Sequence, residues 1–133
     1  MSLERIEPDG LARPSGFAHA VRATGTTRVY LAGQTALDAD GRIVGTTIVE
    51  QFEQALTNVL TALRAADGAP EHLASVTIYL VDIAGYRAQA REIGAVWRRL
   101  AGRDYPAMAG IGVSRLWDEA ALVEIQAVAE IPT

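Results

Sequence analysis

The chain reads as an α+β fold with the order β-β-α-β-α-β-β, two helices packed on one face of a mixed sheet. Three observations predict it. Two segments repeat apolar residues every third and fourth position, as amphipathic helices do. At least five short runs, some alternating and some continuously apolar, read as strands. The length, 133 residues with half of them apolar, suits one domain over residues 1–133 that buries about two-thirds of its unfolded surface.

The first two strands are residues 17–23 and 28–34. Thr24-Gly25-Thr26-Thr27 between them predicts a β-hairpin with a glycine-containing loop. Asp38-Ala39-Asp40-Gly41 has part of the spacing of a calcium loop but no glutamate at the required distance, so it predicts a plain turn. A helix starts at Thr47, because Thr47-Ile48-Val49-Glu50 has capping-box spacing. Phe52, Ala55, Leu56, Val59 and Leu63 form its apolar stripe, and Asp67-Gly68 ends it, glycine accepting the left-handed conformation past a helix C-terminus.

Residues 76–82 are apolar on both faces, which predicts a strand inside a sheet. A second helix follows, with Tyr86, Ala90, Ile93, Trp97 and Leu100 as its buried stripe and Gly102 as its stop. Pro106 keeps the next segment extended. Residues 105–116 and 122–128 then alternate in side-chain character. In the first run Ala109, Ile111 and Val113 share one face, and Met108, Gly110, Gly112 and Ser114 the other. In the second, Val123, Ile125, Ala127 and Ala129 are apolar, while Glu124 and Gln126 point the opposite way. The five residues between the runs predict an antiparallel hairpin with Glu124 opposite Ser114. Two helices cover one sheet face; the other is left with Met108, Leu116, Leu122 and Val128 uncovered, which implies self-association.

Bulk composition narrows the function. A net charge of -4 argues against a surface that tracks phosphates, so nucleic acid is a poor partner. The absence of cysteine excludes disulfides and thiolate chemistry, and neither a signal-like start nor a membrane-length apolar run is present, so a soluble cytoplasmic protein is expected.

Ser15-Gly16-Phe17-Ala18-His19-Ala20-Val21, Val29-Tyr30-Leu31-Ala32-Gly33-Gln34, the helix from Gln51 to Leu63, Val76-Thr77-Ile78-Tyr79-Leu80-Val81-Asp82 and the Glu124 strand occur in the order seen in the Rid (YjgF/RidA-like) family. The chain resembles that family over nearly its whole length. The resemblance implies a chorismate-mutase-like fold and a homotrimer whose sheets face a central axis, with small-molecule clefts between subunits. It also implies hydrolytic deamination of reactive enamines and imines, and no cofactor or metal. Gly33 matches the family's backbone-donor glycine, Pro106-Ala107 its Pro-Ala pair, and Glu124 its carboxylate. Met108 stands where active members carry an arginine that grips the substrate carboxylate, and a thioether has no donor to offer. Phe17 stands for a frequent tyrosine, Ala32 for serine, Ala90 for asparagine and Gly110 for cysteine, so each swap removes a polar handle.

The expected site is therefore Glu124 as the catalytic carboxyl, with Gly33, Phe17, Met108 and Gly110 lining a ligand pocket more apolar than the family's. Functionally, Glu124 is suited to move a proton or position a water for attack on a C=N carbon; structurally, it could accept hydrogen bonds from Ser114 or Arg115. An altered substrate without the carboxylate handle is expected. The alternatives are a non-catalytic metabolite- or partner-binding module and, least favoured, a ribonuclease or translation inhibitor. His19 and His72 have no second ligand at metal spacing, and Gly110-Ile111-Gly112 lacks the rest of a dinucleotide fingerprint. Arg87, Arg91, Arg98, Arg99 and Arg103 form the basic cluster, read as a solvated face pairing with Glu92 and Asp104 or as a place for an anionic partner. Trp117, in the last loop, is expected to be exposed.

Overall fold

The computed structural model describes residues 3–133. Along them run β1 (Leu3–Ile6), β2 (Ala20–Ala23), β3 (Thr26–Gln34), α1 (Ile48–Ala65), a 3-10 turn (Pro70–His72), β4 (Leu73–Leu80), α2 (Ile83–Ala88), α3 (Ala90–Ala101), β5 (Ala107–Gly112) and β6 (Val123–Pro132). The α+β class stands, with one strand and one helix more than the sequence predicts.

The capping box of α1 forms as its spacing requires. The Thr47 hydroxyl accepts the Glu50 N–H at 3.2 Å, and the Glu50 carboxylate accepts the Thr47 N–H at 3.1 Å. The N–H groups of Thr46 and then Thr47, donated to the Glu50 carboxylate, hold that carboxyl below the usual carboxylate range. At the far end the left-handed residue is Asp67, at φ 66°, rather than Gly68. Asp67 and Gly68 donate their N–H groups to Arg64 and Leu63, satisfying carbonyls the helix leaves open. Gly68 is needed for space: a Cβ there would run into the Leu63 side chain.

The expected second helix is two, broken at Gln89. Asp82 caps α2 by accepting the Gly85 N–H at 3.0 Å, and Gln89 closes α2 while its carbonyl begins α3. Gly102 stops α3 at φ 78°, a conformation costly for any other residue.

Strands β3-β6-β4-β5 form a four-stranded sheet, and β1-β2 a separate two-stranded one. Strand β6 runs antiparallel to both neighbours, and β4 and β5 are parallel. Both expected hairpins are corrected. Strand β2 pairs with β1 and β3 with β6, although only Thr24 and Gly25 separate β2 from β3. Strand β4 lies between β5 and β6, so Glu124 sits opposite Tyr79, not Ser114. Residues 113–122 step over the end of β4, where the Val113 N–H donates to Leu80 O at 2.8 Å and the Val81 N–H to Leu122 O at 3.3 Å.

Parallel pairing with β4 also reverses the face expected for β5. Met108, Gly110 and Gly112 lie beside Val76, Ile78 and Leu80, which are buried under the helices. Met108 thus belongs to the helix side, Leu116 is buried, and Leu122 is half-buried near Ile48 and Tyr86, so none of the three covers the open face. Val128 does lie there, with Tyr30 and Ile111. Strand β4 is buried on one face only, Thr77 and Tyr79 remaining partly exposed on the other. The core packs Phe52, Leu56, Val59, Leu60 and Leu63 of α1 and Ile93, Val96 and Trp97 of α3 against the inner sheet face. Each large apolar side chain fully buried there contributes roughly 1.5–3 kcal/mol.

Candidate functional site

The open sheet face carries the candidate carboxyl. Glu124, the second residue of β6, is held outward because Val123 and Ile125 on either side are fully buried. The β3–β6 register skips Ala32 and Gly33, a bulge that takes them out of the ladder beside Glu124. The Glu124 carboxylate lies directly over Gly33, where a Cβ would collide with it. Only glycine leaves that seat free. Among the described residues, no hydrogen bond or ion pair engages the Glu124 carboxylate. Ser114 does not reach it, and the Arg115 guanidinium donates to the Leu116 and Trp117 carbonyls instead. Gly33 and Glu124 therefore lie together, with the carboxylate uncommitted.

Phe17, Met108 and Gly110 are brought together elsewhere, on the helix side. They line a recess of about 280 Å³ with Ile78, Leu80 and Tyr86. Gly110 faces open space there, since a Cβ on it would meet nothing within 4 Å. Phe17 packs edge-on against His19 at 5.2 Å between ring centroids. Burial raises the Tyr86 hydroxyl above the ordinary tyrosine range. Within one protomer, then, Met108 and Glu124 lie on opposite faces of the sheet, and none of the four cavities lined by described residues contains both.

The lesser candidates resolve as structure. His19 Nε2 lies 2.6 Å from the Ala12 carbonyl, and His72 Nδ1 accepts the Ala69 N–H at 2.9 Å. Among the described residues no cluster of His, Asp and Glu has the arrangement of a metal site. Asp38 binds the Asp40 and Arg42 N–H groups, which makes residues 38–41 a turn. Trp117 is exposed.

Three positions that sequence reasoning missed hold the scaffold. Gln51, buried at the start of α1, donates to the Gly45 and Ala120 carbonyls and accepts the Leu122 N–H at 2.8 Å, fixing the entry to β6. Arg5 donates to the Glu71, Asp104 and Tyr105 carbonyls and so pins the segment before β5. Glu130 accepts from Thr26 at 2.7 Å and Arg28 at 2.6 Å across the β3–β6 seam. Only the long-range pairing reveals these roles, since a polar residue in an amphipathic run reads as a solvated one.

The family model described as endoribonuclease L-PSP matches residues 10–131. The chain belongs to that family, the Rid proteins. This Rid-family chain is 32% identical over 102 residues to the RutC family protein UK114 of Drosophila melanogaster, covering 76% of this chain and 70% of the relative. It is 32% identical, again over 102 residues, to a 2-iminobutanoate/2-iminopropanoate deaminase of Capra hircus, covering 76% of this chain and 71% of that one. Its fold superposes on the crystal structure of the Rid protein YyfB of Yersinia pestis, a protein of unknown function, with a TM-score of 0.88 at 32% identity, covering 98% of this chain and all of that one. No helix among the described residues is long and apolar enough to cross a membrane.

Proposed function

We propose that this Rid-family chain hydrolyses the carbon–nitrogen double bond of a reactive imine or enamine, in clefts completed between copies of a cytoplasmic homotrimer. The observation that carries the reading is the uncommitted Glu124 carboxylate seated over Gly33 on an uncovered sheet face. A carboxylate in that position can take a proton from a water as it adds to the C=N carbon. The nitrogen gains a proton and leaves as ammonia, and the carbon becomes a carbonyl. The backbone of the Ala32-Gly33 bulge, outside the ladder, offers N–H groups to the developing charge. The deaminase name of the Capra hircus relative supports the same reaction class.

The substrate differs from an amino-acid imine in lacking the α-carboxylate at the position Met108 would have to grip. Replacing an arginine by a thioether removes two charge-assisted hydrogen bonds, roughly 1.5–3 kcal/mol each. The test compares ammonia release from two imines generated in situ, 2-iminopropanoate from alanine and the neutral imine from benzylamine. The neutral imine is expected to turn over, 2-iminopropanoate to stay near background, and Met108→Arg to raise the latter at least tenfold. Robust turnover of 2-iminopropanoate by the unaltered chain would overturn the substrate assignment.

A further inference from the structure

The largest of the four cavities lined by described residues lies away from Glu124, which lines none of them. It measures about 660 Å³ and lies on the helix side between α3 and β5, with Trp97, Tyr105 and Met108 in its wall and Arg91, Arg98 and Arg103 around it. A volume of this size takes a ligand of drug-like dimensions, well beyond a three-carbon imine. The wall is aromatic and flat: Trp97 and Tyr105 stack with centroids 6.4 Å apart and planes 23° from parallel. Arg5 fixes the Tyr105 side of the wall by its bonds to the 104–105 carbonyls.

The three arginines are uncommitted. Sequence spacing predicts pairing of this cluster with Glu92 and Asp104, yet the pair that forms is Arg99 with Glu53, at 2.7 Å on another side of α3. Among the described residues Arg91, Arg98 and Arg103 make no ion pair and no side-chain hydrogen bond. Arg98 folds back along its own helix: a Cβ on Gly94 would stand 3.2 Å from its Nη1, so the missing side chain makes room for the guanidinium. Trp97, itself buried, carries the one buried side-chain nitrogen without an acceptor among the described residues, Nε1. Cations with no counter-charge beside an aromatic wall in one cavity define an amphiphile's complement.

We propose that the α3–β5 cavity binds an organic oxyanion, a carboxylate or phosphate carried on a planar apolar body, with Arg91, Arg98 and Arg103 holding the anion and Trp97, Tyr105 and Met108 the body. The site adjoins the proposed imine cleft through Met108, while its three arginines lie, within one protomer, on the opposite side of the sheet from Glu124. The probe is 8-anilinonaphthalene-1-sulfonate, titrated by fluorescence, with N-phenyl-1-naphthylamine as its uncharged counterpart. Arg98→Ala and Arg103→Ala should each weaken the sulfonate about tenfold, the loss of a charge-assisted bond, and leave the uncharged probe unmoved. Added salt should weaken the sulfonate alone. Arg98→Lys with Arg103→Lys, which keeps the charge but not the fork, should fall between. Phenylacetate and phenyl phosphate should displace the sulfonate where benzyl alcohol does not, and the stronger of the two identifies the natural headgroup. Equal sulfonate binding by the unaltered and double-alanine chains at matched thermal stability would overturn the proposal, as would displacement by benzyl alcohol.

Discussion

Gly33 and Glu124 depend on each other through one atom's worth of space. A methyl group at Gly33 would occupy the position of the Glu124 carboxylate, and the group it meets is the far end of a flexible side chain rather than backbone. Gly33→Ala should therefore cost little stability, within about 1 kcal/mol, while pushing the carboxylate off the bulge. Imine hydrolysis is expected to drop at least tenfold with the thermal midpoint nearly unmoved. An alanine variant as active as the original chain would show that the seat is packing rather than chemistry. Glu124 is legible in the sequence as a carboxylate between aliphatic neighbours, Gly33 only through the family resemblance, and their contact not at all, since the bulge that sets it depends on the long-range pairing of β3 with β6. The face of Met108 is not legible. Alternation in residues 107–112 marks two faces but does not say which meets the helices, and the side that looks stripped by glycines is the covered one, where Gly112 admits Ile83.

Among the elements, the β3–β6 seam carries a pH dependence. The Thr26 hydroxyl bond, then the Arg28 bond and charge, hold the Glu130 carboxyl below the usual range against the opposing effect of burial. A carboxyl whose folded value is depressed adds stability above its unfolded value, and that stability is lost as pH falls through the folded one. Melts of the original chain and Glu130→Gln from pH 7 to pH 3 should differ most at neutral pH and converge in acid. Parallel curves would contradict the role assigned to the seam. Helix starts are read well at this scale because caps are local: Thr47 and Glu50 bond within one turn. Strand neighbours are read poorly. Two antiparallel hairpins are the cheapest guess for adjacent runs, yet β4 enters between β5 and β6, and nothing local encodes that crossing.

For the whole molecule, one sheet face lies under α1 and α3 while the other exposes Tyr30 at 75% and Ile111 at 41%. Such a face asks for a cover, and the proposed trimer supplies it with copies of the same face. It would also explain how residues on opposite faces, Met108 and Glu124, could serve one cleft, each from a different protomer. Sedimentation should give three chain masses for the original chain, and Tyr30→Glu, a buried charge in the assembly, should shift it to the monomer. A monomeric original chain would refute the arrangement.

The chemistry proposed for Glu124 is tested most directly by ammonia release from the neutral imine of benzylamine with the original chain and with Glu124→Gln, which keeps the shape and removes the base. The account predicts a loss of at least about a hundredfold in kcat/KM, the usual contribution of a positioned base, at an unchanged thermal midpoint. Equal rates in the two chains would contradict it.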